Sequence, residues 1–132
     1  MKTLQPADWK APRGYANGVV AHGETIFLAG QIGWNPRCEF DSDDLVDQVR
    51  QALANVRALL AEADAGPEHI VRMTWYLVDK REYLARAKEI GAAYRELIGS
   101  YTVAMSAVQV AALVEDRAKV EIEVTAVRPT RR

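Results

Sequence analysis

Apolar residues at Leu45, Val49, Ala52, Val56, Leu59 and Ala63 recur with the three-four spacing of a single helical face. Asp41-Ser42-Asp43-Asp44 stands just ahead of them and offers side-chain oxygens to the N–H groups that a first helical turn leaves unpaired. Gly66-Pro67 closes the pattern, since Gly tolerates a left-handed terminus and Pro cannot extend the hydrogen-bond ladder. The period then shortens to two. Residues 70–78 carry Val71, Thr74, Trp75, Tyr76 and Val78, which suit a pleated strand. Residues 119–127 alternate plainly, with Val120, Ile122, Val124 and Ala126 on one face and Glu121, Glu123 and Thr125 on the other.

The remaining segments have weaker signals. Asp79 with Glu82 three residues on reads as a capping-box variant, opening a second helix whose apolar face runs Tyr83, Leu84, Ala87, Ile90, Tyr94, Leu97 and which Gly99 ends. Residues 17–21 and 25–30 are β-prone runs around His22-Gly23-Glu24, the composition of a hairpin turn, and 102–113 forms a further strand joined to the last by Glu115-Asp116-Arg117. Residues 1–14, with Pro6, Pro12 and Gly14, read as an irregular lead-in. The order is ββαβαββ: an α+β layer pair, with two helices on one face of a mostly antiparallel sheet.

Two helices cover only one sheet face, and the other is not polar. In the strand 71–78, Val71, Met73, Trp75 and Leu77 lie on one side and Tyr76 and Val78 on the other, while Phe27, Val103 and Met105 add further apolar surface. Burial is worth about 25 cal/mol per Å², so self-association is the expected solution, with packing against an extra strand or the N-terminal segment as the alternative. Symmetric packing would bring cleft residues of two neighbours together, with Glu121 and Glu123 on the unfilled face.

Composition narrows the function classes. The 132 residues suffice for one core and are too few for two ordinary domains, so residues 1–132 are expected to form a single domain. Seventeen basic residues nearly balance eighteen acidic ones, and the basic residues are scattered apart from Arg128, Arg131 and Arg132, so a nucleic-acid partner is not expected. Nothing resembles a secretory signal or a long apolar span, and Cys38 alone cannot form an internal disulfide, which together suit a cytoplasmic protein away from membranes. His22 and His69 stand far apart, Cys38 has a neighbouring Arg37 but no His, and neither metal-ligand spacing nor a phosphate-binding Gly loop is present, so no metal or cofactor is expected.

Tyr15-Ala16-Asn17-Gly18-Val19, the run from Ala29 through Gly30, Gln31, Ile32, Gly33 and Trp34 to Asn35-Pro36, Asn55-Val56, Asp79, and the run from Val120 to Val127 occur in the order of successive signatures of one family. From about residue 13 onward the chain resembles the Rid family, also called YjgF or L-PSP. The resemblance implies a chorismate-mutase-like fold, a homotrimer whose sheets form a central barrel, and a small-molecule cleft between adjacent subunits. It also implies hydrolysis of reactive enamines and imines to ketoacids and ammonia. In the deaminating members an Arg near the start of the penultimate strand clamps the substrate carboxylate, a Glu on the last strand handles the water, and an N-terminal Tyr and a Ser-Gly segment complete the cleft.

Carried over by position, Tyr15 matches the Tyr, Glu121 the Glu, and Gly30 and Gln31 the Gly-Gln step, which makes Glu121 and Tyr15 the candidate catalytic residues. Met105 stands in place of the Arg and Ala29 where Ser is common; the segment 101–104 lacks the usual Pro, and the second helix is about one turn longer. A thioether is neither charged nor a useful donor, and losing a desolvated guanidinium contact costs about 2–5 kcal/mol. The usual activity on 2-imino acids is therefore not expected. Ala29, Gly30, Gln31, Trp34 and Met105 remain the candidate substrate-binding residues, although Trp34 reads equally as core closure, Tyr15 as packing and Glu121 as a solvated strand carboxylate. Two functions follow: hydrolysis of a less acidic or more aromatic C=N compound, or metabolite binding without catalysis. The family's ribonuclease label suggests a third reading, against which the dispersed cations argue.

Overall fold

A computed structural model describes residues 1–100 and 103–130. Tyr101 and Thr102, where the penultimate strand was expected to start, and the tail residues Arg131 and Arg132 lie outside them. The central helix α1 (Leu45–Glu62) forms where its spacing predicts and buries Leu45, Val49, Ala52, Leu53, Val56 and Leu60. Asp44 caps it, its carboxylate accepting the Asp47 N–H at 3.0 Å. The helix stops at Ala63, with Asp64 in the left-handed region at φ 55°, before Gly66-Pro67, which instead opens a short 3-10 turn over Pro67–His69.

The sheet is built on the two best-patterned strands. β5 (Ile70–Leu77) and β7 (Val120–Arg128) pair antiparallel at its centre, and β3 (Glu24–Phe27) and β4 (Gln31–Ile32) line up successively along the far edge of β7. On the other side β6 (Ala104–Gln109) joins β5 in a parallel ladder, which requires the helical crossover between them. Met73, Trp75, Leu77, Val120, Ile122, Val124 and Ala126 are buried with the α1 side chains in one core. A register shift between Ile70 and Arg72 turns the fully buried Ile70 inward and leaves Val71, expected on the same side as Met73, Trp75 and Leu77, only half-buried.

Three expectations need correction. The chain opens with a strand rather than an irregular segment: β1 (Lys2–Leu4) pairs antiparallel with β2 (Gly18–Val20), and that ladder takes the place of the expected hairpin between residues 17–21 and 25–30. Gly23 lies between β2 and β3 at φ 148°, where a side chain would overlap the carbonyl of Arg128. The second helix is two helices, α2 (Lys80–Ala85), capped by Asp79, and α3 (Ala87–Leu97), with Arg86 non-helical between them. The penultimate strand ends at Gln109 instead of continuing to Leu113. The order is thus ββββαβααββ, still an α+β layer pair with helices on one face.

Candidate functional site

Between the α2–α3 helices and the β5–β6 edge lies a cavity of about 540 Å³. Tyr15 and Met105 line it together with Trp75, Tyr83, Ile90 and Tyr94. Local structure explains their placement. Met105 sits opposite Met73 on β5, which puts it on the helix-covered face. Tyr15 is delivered by the N-terminal segment, where Gly14 takes a left-handed φ of 76° and the Ala16 N–H donates to the Val103 carbonyl at 2.8 Å, bridging the start of β6. Tyr15 and Met105 also line a smaller cavity of about 250 Å³ with Asn17, Arg72 and Ser106, so they stand between an apolar chamber and a polar one.

The chamber is walled mostly by aromatic and aliphatic groups. Trp75 and Tyr83 meet edge to face with ring centroids 6.2 Å apart. Burial pushes the phenol of Tyr94 up to about 12 and raises that of Tyr83 as well, so both remain protonated at neutral pH. The indole Nε1–H of Trp75 is buried with no acceptor among the described residues. Arg13 and Arg95 are the charged residues of the lining, which holds no carboxylate or imidazole among the described residues.

Glu121 lies elsewhere. It is half-buried on the sheet face opposite the helices, in a row with Tyr76 and Val108, whereas Met105 shares its row with Met73 and Val124. Within one chain Glu121 and Met105 are therefore separated by the sheet. Glu121 instead meets Gly30: a side chain at Gly30 would overlap its carboxylate. The adjoining Gln31 pairs with Ile122 on β7 and donates from Nε2 to the Ala29 carbonyl at 2.9 Å, so Ala29, Gly30, Gln31 and Glu121 form one corner of the sheet.

Trp34 joins neither group. Asn55 on α1 holds its backbone by donating to the Trp34 carbonyl at 2.9 Å, and its ring packs 6.0 Å from Phe40, which in turn lies under the Arg117 guanidinium. The lining residues that sequence reasoning passed over are Arg13, Trp75, Tyr83, Ile90, Tyr94 and Arg95. Tyr83, Ile90 and Tyr94 do appear in the apolar stripe of the second helix, but a stripe does not distinguish a cavity wall from a filled core. No group of three or more His, Cys, Asp or Glu residues able to hold a metal ion is present among the described residues, and no described helix is long and apolar enough to cross a membrane.

Comparison with known proteins places this arrangement. A RutC family protein from Synechocystis is 35% identical over 98% of both chains, and TdcF of Escherichia coli, named a candidate reactive intermediate deaminase, is 32% identical over 86% of both. Among solved structures, the Rid protein YyfB from Yersinia pestis superposes with a TM-score of 0.82 at 32% identity, over 96% of this chain and 98% of that one. TdcF of Escherichia coli with bound serine superposes with a TM-score of 0.69 at 32% identity, over 97% and 99%. These neighbours share the chorismate-mutase-like fold. With residues 7–128 also matching the family described as endoribonuclease L-PSP, the chain belongs to the Rid (YjgF/L-PSP) family.

Proposed function

We propose that this single-domain protein acts in the cytoplasm as a homotrimer that hydrolyses an enamine, imine or related C=N metabolite in clefts between its subunits. The observation that carries the reading is the division of the candidate residues: Tyr15 and Met105 wall a cavity of small-molecule size, while Glu121 and Gly30 converge on the face the helices leave open. A neighbouring copy packed on that face would bring its Glu121 to the Tyr15–Met105 edge. There Glu121 takes a proton from water as the oxygen attacks the C=N carbon and passes that proton to the nitrogen, giving the carbinolamine. The carbinolamine then expels ammonia as the C=O forms, and an enamine first gains a proton at carbon to become the imine. Tyr15 and the backbone of Ala29, Gly30 and Gln31 orient the substrate, and Met105 offers it an apolar contact.

Binding without catalysis is the second reading. It is favoured by the lack of any carboxylate or imidazole in the cavity of one chain, among the described residues. The dispersed cations favour either reading over action on RNA. Ammonia release from a panel of freshly generated imines and enamines separates them. The expected result is turnover that Glu121→Gln abolishes, poor activity on small 2-imino acids, and a gain on those acids in Met105→Arg. Robust wild-type turnover of 2-iminopropionate would sink the missing-clamp argument, and no turnover of any compound would leave the binding role.

A further inference from the structure

Two features of the larger cavity are unused by this hydrolysis. Arg13, from the N-terminal segment, and Arg95, from α3, both line it, and neither meets a carboxylate at ion-pair distance among the described residues. Arg37, Arg50, Arg86, Arg117 and Arg128 are ion-paired, and of the described arginines that are not, Arg13 and Arg95 are the two that line this cavity. The wall beside them is apolar, and within it stands a buried donor: Trp75 is 2% exposed and its Nε1–H has no acceptor among the described residues. Arg13 and Arg95 are both exposed, so they stand at the solvent side of the cavity, where a guanidinium holds a carboxylate through paired, charge-assisted hydrogen bonds while the apolar wall lies behind it.

We infer that the cavity selects carboxylates with an apolar body, aromatic or branched aliphatic, the carboxylate held by Arg13 and Arg95 and the body laid on Trp75, Ile90 and Met105. The cation that recognises the acid thus comes from the helix wall and the N-terminal segment, while the strand wall supplies only apolar surface. The substrates of this class are imines or enamines of bulky apolar acids. A small acid gains little here, because it cannot cover the aromatic wall while its carboxylate is held. The inference rests on the reading that this cavity holds the substrate.

Titration calorimetry with 3-phenylpropanoate and its neutral counterpart 3-phenylpropanamide tests it. The acid is expected to bind wild-type protein roughly tenfold or more tightly than the amide, the difference a charge-assisted contact makes. The double variant Arg13→Gln/Arg95→Gln should lose that factor for the acid and keep the affinity for the amide. Arg81→Gln, an exposed change on α2 outside the cavity, should alter neither. Equal binding of acid and amide, binding of neither, or an acid preference that survives in the double variant overturns the inference. Ammonia release from the imine of phenylpyruvate, measured alongside, keeps the two readings apart. Arginine-dependent binding without ammonia release removes the hydrolase and retains the selectivity. Release that is undiminished in the double variant at subsaturating substrate does the reverse.

Discussion

A methyl group at Gly30 would overlap the Glu121 carboxylate, whereas one at Gly33 would come within 2.6 Å of the Gln48 Cα, in the body of α1. The first obstacle is the end of a half-exposed side chain and can swing aside; the second is helix backbone and cannot. Gly33→Ala is therefore expected to cost about 1–3 kcal/mol in urea unfolding. Gly30→Ala should cost less than about 1 kcal/mol and yet lower ammonia release about a hundredfold, because it displaces the proposed proton handler. Equal stability losses in the two variants would show that Gly30 is there for packing alone. The Tyr94 phenol makes a separate prediction. Burial raises it to about 12 in the folded chain against about 10 when unfolded, so its contribution is fully present below pH 10 and is lost as the pH rises towards 12. Urea midpoints should fall across that window, and Tyr94→Phe should flatten the fall.

At the level of elements, the break between α2 and α3 has a defined partner. Arg86 donates to both oxygens of Asp44, at 2.9 and 3.4 Å, and to Glu89 at 2.8 Å, tying the break to the start of α1. The Arg86 hydrogen bonds and the Asp47 N–H hold the Asp44 carboxyl below the usual carboxylate range. Asp44→Ala loses the cap and the ion pair together. The expected loss is about 1 kcal/mol, mostly the cap, since the pair is partly exposed and screened by water. Because the folded pKa is depressed, the wild-type advantage should hold above about pH 4 and shrink as the carboxylate protonates on acidification, which melting curves from pH 7 to pH 3 would follow. The same elements show what the sequence makes legible. α1, β5 and β7 follow directly from periodicity because each buries a full stripe or face. The break at Arg86 is invisible to that logic, since the apolar spacing from Tyr83 to Leu97 continues across it. The β1–β2 ladder was missed because β1 is exposed throughout and carries no alternation, and the β2–β3 hairpin was wrongly expected because turn composition says where a chain bends and not which strand it meets. Of the candidate site, Tyr15, Met105, Gly30 and Glu121 could be named through the family resemblance. Their division between two faces depends on sheet register, and Arg13 and Arg95 have no sequence signal of their own.

For the molecule as a whole, the uncovered sheet face is mixed. Phe27 is 79% and Val108 44% exposed on it, among Glu121, Glu123, Thr125 and Arg72. If this face is the subunit contact, Phe27→Glu and Val108→Glu should each shift sedimentation velocity profiles from trimer towards monomer while leaving the far-ultraviolet circular dichroism unchanged. Wild-type protein sedimenting as a stable monomer at micromolar concentration would remove the trimer. The parallel ladder between β5 and β6 bears on a different matter, the order of assembly. Both neighbours of β5, β6 and the still later β7, can reach it only after the chain has passed through α2 and α3 and come back. The cavity wall carrying Met105 is thus laid down together with the helices that face it. A substitution that loosens the packing of α3 on α1, such as Ile90→Ala, should slow the closing of the cavity as much as it weakens the finished one, so that in a Trp9→Phe/Trp34→Phe background refolding followed by the fluorescence of Trp75 lags behind refolding followed by backbone signal. The proposed ligand chamber thus takes shape no earlier than the packing of the helices that wall it.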